Sequence, residues 1–336
     1  MTDTWGYLPW SEAFQGINGT TPKFDSQEEI YTFMFAEIED ALSKINNGAG
    51  PAGDMILGGD MDRWKTFGNT LKMVMALRIS DVSPATAKTK FEQAVASNML
   101  IGSNADNLVF TYGSDDNSDN PWEDRFESRE DYILSETFIN ELTAMNDPRM
   151  MKMADPSTTD GIYVGAENGK VNGNTPDYSF ITATVIKDPV YQSPIYTYAQ
   201  TELSLAEAAV KGWSIGGGTA AEHLEAGIRG SMTQWGVASD DIDTYVAANT
   251  SATMADIAYE KWVALYLNGP EAWAEWRRLD APALTPSIYA TTQQIPLRHG
   301  YTSTVEDNNA ANYAIMISES EQGPDNLYTA LWWDVN

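Results

Sequence analysis

The chain contains no cysteine and only two histidines among its 336 residues. Without cysteine there are no disulfide bonds, no thiolate metal ligands and no cysteine nucleophile. His223 and His299 lie far apart in sequence, and neither belongs to a metal-binding spacing such as H-E-x-x-H. We therefore expect no histidine-based catalytic site. A cysteine-free chain is compatible with an exported protein as well as with a cytoplasmic one.

Basic residues are also scarce, with 20 Lys and Arg against 48 Asp and Glu, and the net charge is −28. A chain this acidic repels phosphate, so we exclude nucleic acid and bare anionic membranes as partners. No apolar run reaches the ~18 residues of a membrane-spanning helix. The first ten residues lack the basic segment and apolar core of a signal peptide. A cytoplasmic protein and one whose export segment is removed both fit.

Apolar residues recur at helical spacing along most of the chain, and this pattern predicts a mainly α fold. Asp25 and Glu28 have the spacing of a capping box at the first helix. The predicted helices span 25–45, 60–79, 85–97, 131–145, 196–211, 220–235, 253–267 and 270–278.

Glycine, proline and asparagine interrupt this pattern in two central regions and near the C-terminus. One short stretch, 180–186 (FITATVI), is a strand candidate. We predict a single domain over 1–336, with a helical scaffold over about 25–150 and 196–280, a loop-rich ligand-face insertion over about 104–127 and 155–194, and a loop-rich tail over 281–336.

Aromatic residues are abundant, with 11 Trp, 16 Tyr and 10 Phe, and several lie on predicted loops beside amide and guanidinium groups. Sugars stack their C–H faces on such rings while polar neighbours bind their hydroxyls. Two interpretations stay open, a glycan platform and rings that only cover the core. The candidate ligand-binding residues are Trp122, Tyr112, Asn117, Asn120, Arg125, Tyr163, Tyr178 and Tyr191.

Enzymatic signatures are weak. The string GWSIG at 212–216 matches G-x-S-x-G, but a nucleophile elbow needs a strand before it, and a predicted helix precedes this one. A turn at a helix end is the better interpretation. A glycosidase needs two carboxylates at a defined separation, which a sequence does not reveal, so we nominate no pair and no catalytic residue.

Asp115, Asn117 and Asp119 alternate as in a calcium-binding loop. The sixth position is Asn120 instead of glycine and the twelfth is Phe126 instead of glutamate, which excludes an EF-hand. A weak calcium site and a solvated loop both remain open, and no other cofactor is expected.

The most distinctive stretch is 268–282, NGPEAWAEWRRLDAP. We expect a helix to end near Gly269 in a left-handed turn and the next to begin at Pro270. Trp273 and Trp276 should pack on the preceding helix, and Arg277 and Arg278 should pair with carboxylates.

Several stretches together resemble the SusD/RagB family, in matching order and spacing over nearly the whole chain. They are 64–80 (WKTFGNTLKMVMALRIS), 200–212 (QTELSLAEAAVKG), 223–236 (HLEAGIRGSMTQWG), 261–282 (KWVALYLNGPEAWAEWRRLDAP) and 331–334 (LWWD).

The resemblance implies tetratricopeptide-like helix pairs that carry an irregular ligand face. It also implies a non-enzymatic surface lipoprotein of Bacteroidetes-type bacteria, which binds a glycan or other nutrient and closes over a SusC-type, TonB-dependent outer-membrane transporter. Family members usually begin with a lipidated cysteine and further helices, whereas this chain begins near the family stretch matched by Trp5–Ala13. We therefore expect outer-membrane attachment through a lipid anchor absent from this chain. A helical glycoside hydrolase and a helix-repeat interaction scaffold are the alternatives.

Overall fold

The computed structural model describes residues 1–46, 48–130, 132–171, 173–249, 251–319 and 323–335. These residues form a mainly helical structure with a few short strands, as predicted. The helices are α1 (Thr2–Trp5), α2 (Gln27–Lys44), α3 (Met61–Arg78), α4 (Pro84–Ala96), α5 (Pro121–Phe126), α6 (Glu136–Ala144), α7 (Met150–Met153), α8 (Ala183–Ile186), α9 (Tyr198–Val210), α10 (Ala220–Gln234), α11 (Ser239–Ala248), α12 (Met254–Ala264), α13 (Gly269–Leu279), α14 (Ser303–Asn308) and α15 (Ala310–Glu319). The strands are β1 (Leu108–Thr111), β2 (Ala154–Asp155), β3 (Phe180–Ile181) and β4 (Gln192–Tyr196).

Successive long helices pack against each other in pairs, α3 with α4, α9 with α10 and α12 with α13. Helix α9 also contacts α3 and α12, so it connects the pairs. One apolar core, which includes Phe35, Met73 and Phe91, lies among α2, α3, α4 and α9. Leu224 and Ile257 belong to a second core among α9 to α12. This arrangement confirms the predicted helix-pair scaffold.

Two short antiparallel ladders, β1 with β4 and β2 with β3, connect the non-helical regions. The first ladder joins the two parts of the predicted insertion, because β1 lies within 104–127 and β4 at the end of 155–194. The ligand-face insertion is therefore anchored where it leaves and re-enters the helical scaffold.

The capping box of α2 lies one residue later than predicted. Ser26 is the N-cap, and its side chain and that of Glu29 bind each other's backbone N–H groups. Asp25 has another role, since its buried carboxylate accepts hydrogen bonds from the backbone N–H groups of Trp10 (2.8 Å) and Ser11 (2.7 Å). It therefore fastens the N-terminal loop to the start of α2.

Parts of the predicted loops and strand are helical. The strand predicted over 180–186 is wrong after Ile181, because α8 follows it. The backbone N–H of Ala183, the first residue of α8, donates a hydrogen bond to the carboxylate of Asp155 (2.7 Å). The tail contains α14 and α15, and the loop over 104–127 contains α5. The helix predicted over 131–145 starts at a residue outside the described ranges, and α6 begins only after its N-cap, Ser135.

The start of α13 also differs from the prediction. The left-handed residue is Leu267 (φ 71°) instead of Gly269, which is already the first residue of the helix. The indole N–H groups of Trp273 and Trp276 donate to backbone carbonyls at Pro296 and Pro282 (3.1 and 3.0 Å). These tryptophans therefore fasten α13 to the chain that follows it.

The prediction that Arg277 pairs with a carboxylate is wrong. Its guanidinium donates to the backbone carbonyls of Trp273 (3.1 Å), Leu297 (2.7 Å) and Asp3 (2.7 Å). It lies between the rings of Trp273 and Trp333, at 3.9 and 4.9 Å from their centroids. Burial and the neighbouring charge of Arg78 lower the pKa of Arg277 to about 10. This arginine thus joins both ends of the chain to α13.

Arg278 forms the predicted ion pairs, within a buried network that spans four helices. Its guanidinium donates two hydrogen bonds to Glu207 of α9 (2.6 and 2.7 Å) and two to Glu275 (2.7 and 3.2 Å). Lys261 of α12 contacts the same two carboxylates, and Arg78 of α3 reaches Glu275 at 3.1 Å. The stretch 268–282 therefore has a structural role, because its charged residues connect α13 to α3, α9 and α12.

Candidate functional site

A cleft of about 960 Å³ opens where α3, α7, the end of α10 and both parts of the insertion meet. This volume falls in the range of small-ligand sites, about 300–1,000 Å³. Its lining includes the stretches 104–109 and 182–194, which the sequence assigns to the ligand-face insertion.

The β1–β4 ladder forms one wall of the cleft. Val109 lies opposite Pro194 in the register, and both line the cleft together with Gln192. Asn107, just before β1, accepts a hydrogen bond from the backbone N–H of Tyr198 at the start of α9 (2.6 Å). This wall is thus held against the helical scaffold by backbone and side-chain bonds.

The C-terminal end of α10 contributes another part of the lining. Gly236 has a φ of 67°, which favours glycine, and it ends the helix so that Gln234 and Trp235 face the cleft. The Trp235 ring packs against Tyr266 with their centroids 5.6 Å apart. Because this contact fixes one side of the indole, the ring is a preorganised surface for a ligand.

Tyr191 is the second aromatic residue of the cleft. Like Trp235, it packs on the core cluster that contains Phe138 and Val263. Burial, with the charge of Asp188 adding to it, raises the pKa of Tyr191 to about 12. The phenol therefore stays protonated at neutral pH and offers a hydrogen-bond donor beside an apolar ring face.

Amides and hydroxyls make up much of the remaining lining, including Asn104, Thr184, Gln192, Thr233 and Gln234. Asn104 is fixed because its side-chain amide donates to the carbonyl of Gly230 (2.9 Å). Such groups both donate and accept hydrogen bonds, as a ligand with many hydroxyls requires.

Among the described residues, three charged side chains line the cleft, Arg63, Lys152 and Asp188. Arg63 donates to the backbone carbonyl of Asn107 (3.2 Å). Asp188 accepts a hydrogen bond from the backbone N–H of Val190 (3.1 Å). Lys152 is exposed on α7.

Of the residues predicted to bind ligand, Tyr191 lies in this cleft and two others meet elsewhere. Trp122 and Arg125, both on α5, contact Tyr132, which the sequence reasoning missed. The Trp122 and Tyr132 rings are 5.9 Å apart, and Arg125 donates to the Tyr132 hydroxyl (3.0 Å). We name these three residues the Trp122 patch. Tyr132 is 42% exposed, so the patch is open to solvent.

Asn120 cannot contact a ligand on the surface, because only 1% of it is exposed. Its side chain caps α5 by accepting from the backbone N–H of Trp122 (3.1 Å). Its amide nitrogen donates to the carbonyls of Val185 (2.6 Å) and Asp188 (3.1 Å). Asn120 therefore connects α5 to the segment 182–191, which lines the cleft on its other side.

The other predicted residues are separate from both surfaces. Tyr112 follows β1 and packs edge-on against Phe110 (4.9 Å). Asn117 lies exposed in a turn, and Tyr178 is half-buried. Tyr163 packs against the core, and burial raises its pKa. The interpretation that loop rings cover the core thus applies to Tyr163.

The calcium hypothesis gains no support from geometry. The carboxylate of Asp115 accepts hydrogen bonds from the Ser118 hydroxyl (2.6 Å) and the Asn117 backbone (3.3 Å), and these bonds lower its pKa. Within the described ranges, no three acidic or histidine side chains converge in a way that could hold a metal ion. Calcium binding by Asp115, Asn117 and Asp119 stays a prediction.

The cleft residues that sequence reasoning missed come from distant positions, from Arg63 to Gly236. Most lie at helix ends or beside the β1–β4 ladder, and no local motif connects them. Trp235-Gly236 was visible as an aromatic residue followed by a helix-ending glycine, a signal that indicates the turn but not the cleft.

Comparison with known proteins places this geometry in a family. Residues 1–302 match the SusD-like family model that is described as starch-binding and associating with the outer membrane. No curated protein matches the sequence. In the part of the chain that the structure describes, no helix combines the length and the apolar character needed to cross a bilayer.

Solved structures of SusD homologues have the same fold as this chain. A chitin-binding SusD homologue from Flavobacterium johnsoniae is 29% identical, with a TM-score of 0.89, and the match covers 100% of this chain and 78% of that one. A SusD homologue from Bacteroides uniformis is 28% identical, with a TM-score of 0.88 and the same coverage of both chains. Since the family model matches well over half of the sequence and the fold agrees throughout, the chain belongs to the SusD/RagB family.

Proposed function

We propose that this protein captures an oligosaccharide in the cleft and delivers it to a SusC-type, TonB-dependent outer-membrane transporter. The observation that carries the proposal is the cleft of about 960 Å³, whose lining combines two fixed aromatic rings with amides and hydroxyls. The family description as starch-binding and the chitin-binding relative support a glycan as the ligand class.

The proposed binding mode follows from the lining. One sugar stacks on Tyr191 or Trp235, and its hydroxyls bond to neighbouring amides such as Gln192. Gln192 is exposed, and its side chain makes no hydrogen bond with other described residues, so it is available to a ligand.

Binding without hydrolysis is part of the proposal. A glycoside hydrolase of the usual kind needs two carboxylates beside the scissile bond. Among the described residues that line the cleft, Asp188 is the one carboxylate, and it caps a local turn. Turnover of a bound polysaccharide that Asp188→Asn abolishes would favour the hydrolase alternative.

The transporter partner and the outer-membrane location belong to the same proposal, with attachment through a lipid anchor. The description of the family as associating with the outer membrane supports them. Affinity capture from outer membranes of the source bacterium tests the partner. Recovery of a TonB-dependent barrel supports the proposal, whereas recovery of only soluble proteins favours the interaction-scaffold alternative.

The binding test uses Tyr191 with a matched control. We expect Tyr191→Ala to weaken oligosaccharide binding roughly fivefold, because an aromatic contact is worth about 1 kcal/mol. Tyr191→Phe keeps the ring and should retain most of the affinity. Titration calorimetry after a glycan-array screen measures both variants.

Two results would contradict this proposal. One is the absence of any oligosaccharide that binds the wild type. The other is a ligand whose affinity is unchanged in both Tyr191→Ala and Gln192→Ala while each variant keeps the wild-type melting temperature.

A further inference from the structure

The cations of this chain are few, and most are neutralised within the fold. Buried Arg149 binds Asp147 and Glu260, for example, and exposed Arg229 binds Glu225 and Asp243. Arg63 and Lys152 differ, since neither forms an ion pair with a carboxylate among the described residues. Both line the cleft.

Arg63 is held in place by neutral backbone carbonyls and not by a carboxylate. Its guanidinium donates to the neutral carbonyl of Asn107 at the rim of the ladder (3.2 Å). Its sequence neighbours Asp60 and Asp62 do not line the cleft, and Asp60 is occupied as the N-cap of α3. Among the described residues, the one other hydrogen bond of the guanidinium is to the backbone carbonyl of Asp106 (3.5 Å), so most of its N–H groups are available for charge-assisted hydrogen bonds to an anionic oxygen.

Lys152 supplies a second positive charge from a separate element, α7. Nearby Asp155 is engaged as an acceptor for the backbone N–H of Ala183 (2.7 Å). Asp188, the carboxylate in the lining, has one oxygen bound to the backbone of Val190. Among the described residues, the cleft lining therefore holds two cations and one carboxylate, in a chain whose net charge is −28.

The excess of positive charge in the cleft of such an acidic protein is explained by a ligand that carries negative charge. The acidic surface of this protein repels negatively charged ligands. Cations in a concave site that have no carboxylate partner attract the negative groups of a ligand to that site and orient them there. We propose, building on the proposed function, that the glycan is acidic and carries carboxylate or sulfate groups, which Arg63 and Lys152 bind. Because the two cations come from different elements, a chain with acidic groups on more than one sugar can meet both.

The experiment compares acidic oligosaccharides with neutralised counterparts of the same linkage. The probes are oligogalacturonate and alginate fragments, each with its carboxyl-reduced form, and chondroitin sulfate fragments with their desulfated form. We expect at least one acidic probe to bind, and its neutral counterpart to bind at least tenfold more weakly. Comparison of the carboxylated probes with the sulfated probe shows which acidic group the cleft binds.

Charge-removing variants locate the effect. Arg63→Gln and Lys152→Gln should each weaken binding of the acidic probe about tenfold, because a hydrogen bond to a charged group is worth about 1.5 kcal/mol. Lys65→Gln is the matched control, since Lys65 lies on the same helix and also lacks an ion pair among the described residues, but does not line the cleft. Higher salt should weaken wild-type binding and should have a smaller effect on a variant that carries both Arg63→Gln and Lys152→Gln.

The outcomes separate this inference from the function on which it rests. If neutral oligosaccharides bind as tightly as their acidic forms, and Tyr191→Ala still weakens binding, the acidic-ligand inference is wrong and the glycan-binding proposal stands. If Lys65→Gln weakens the acidic probe as much as Lys152→Gln does, the attraction is a general surface effect and the inference also fails. If no probe and no neutral glycan binds, both proposals fall.

Discussion

The buried carboxyl group of Asp334 makes the stability of the fold depend on pH. The residue is 7% exposed, and its Oδ2 has no hydrogen-bond partner among the described residues. Burial raises its pKa, and although the charge of Arg277 acts in the opposite direction, the resulting value is about 6. The folded protein therefore holds a proton there that the unfolded chain releases at lower pH.

The stability contribution of Asp334 has a definite sign. The unfolded carboxyl ionises near its ordinary pKa of about 4, so the contribution is complete below that pH and is lost as the pH rises through about 6. We expect Asp334→Asn to match the wild type near pH 4 and to exceed its free energy of unfolding by roughly 1–2 kcal/mol near pH 8. Urea denaturation at both pH values measures the difference. A difference that does not change with pH would show that Asp334 is ionised throughout.

Residue-level prediction from the sequence succeeded where a side chain had one dominant kind of partner. Arg278 was expected to bind carboxylates and does so through Glu207 and Glu275. Arg277, its neighbour, has the same chemistry but lies between two rings and binds three carbonyls. Its partners come from positions as distant as Asp3, and local sequence holds no information about them.

At the scale of elements, one ion network unites α3, α9, α12 and α13. Glu207 is at its centre and is fully buried. Burial alone would raise its pKa, but Arg278 and Lys261 outweigh that effect and lower it to about 2. The network therefore depends on every partner remaining in place.

Removal of one charge from this network should be costly. We expect Glu207→Gln to lower the free energy of unfolding by about 3–5 kcal/mol, because Arg278 and Lys261 would keep buried charges without full compensation. Glu225→Gln is the control, since it breaks an exposed pair with Arg229 and should cost less than about 1 kcal/mol. Chemical denaturation followed by circular dichroism gives both values. Equal losses in the two variants would refute a special role for the buried network.

Elements differ in how well their sequences predict them. Long helices such as α3 and α9 were found nearly to the residue, because apolar periodicity and caps are local signals. The β1–β4 ladder was missed, since its strands are short and each pairs with a partner far away in sequence. Short helices such as α5 were read as loops because one or two turns show no periodicity.

At the scale of the whole molecule, the cleft and the Trp122 patch are two surfaces connected by one segment. Residues 182–191 line the cleft, and Asn120 fastens the same segment to α5, which carries Trp122. We propose that a short ligand occupies the cleft alone and that a longer one extends to the patch, where Tyr132 is exposed and Trp122 is half-buried. The patch is thus a proposed second contact for the same glycan.

Chain length of the ligand should reveal this second contact. We expect Trp122→Ala to weaken binding of long oligosaccharides several-fold and to leave the shortest ligands unaffected, because only the long ones reach the patch. Calorimetry with a size series measures the effect. Since Trp122 also packs on the core around Phe138, the melting temperature of the variant must be recorded beside it. An equal loss for all lengths would place Trp122 in a structural role only.

The location of the cleft shows what the sequence could not provide. Tyr191 was among the predicted residues, but Arg63, Lys152 and Trp235 come from three other elements. Their convergence is a property of how the helix pairs and the ladder pack together. Loop composition indicated the part of the chain that supplies much of the cleft lining, and it could not identify the scaffold residues that complete the cleft.

The β1–β4 ladder has a consequence for how the protein matures. Contacts between segments far apart in sequence generally form late in folding, whereas helices form early from local contacts. We therefore expect the wall containing Val109 and Pro194 to be among the last parts to assemble. A chain with complete helices and an unpaired ladder would give a normal helical spectrum and would lack one wall of the cleft in which we propose that the ligand binds. Helical content is accordingly a poor measure of how much of a purified sample has a complete cleft.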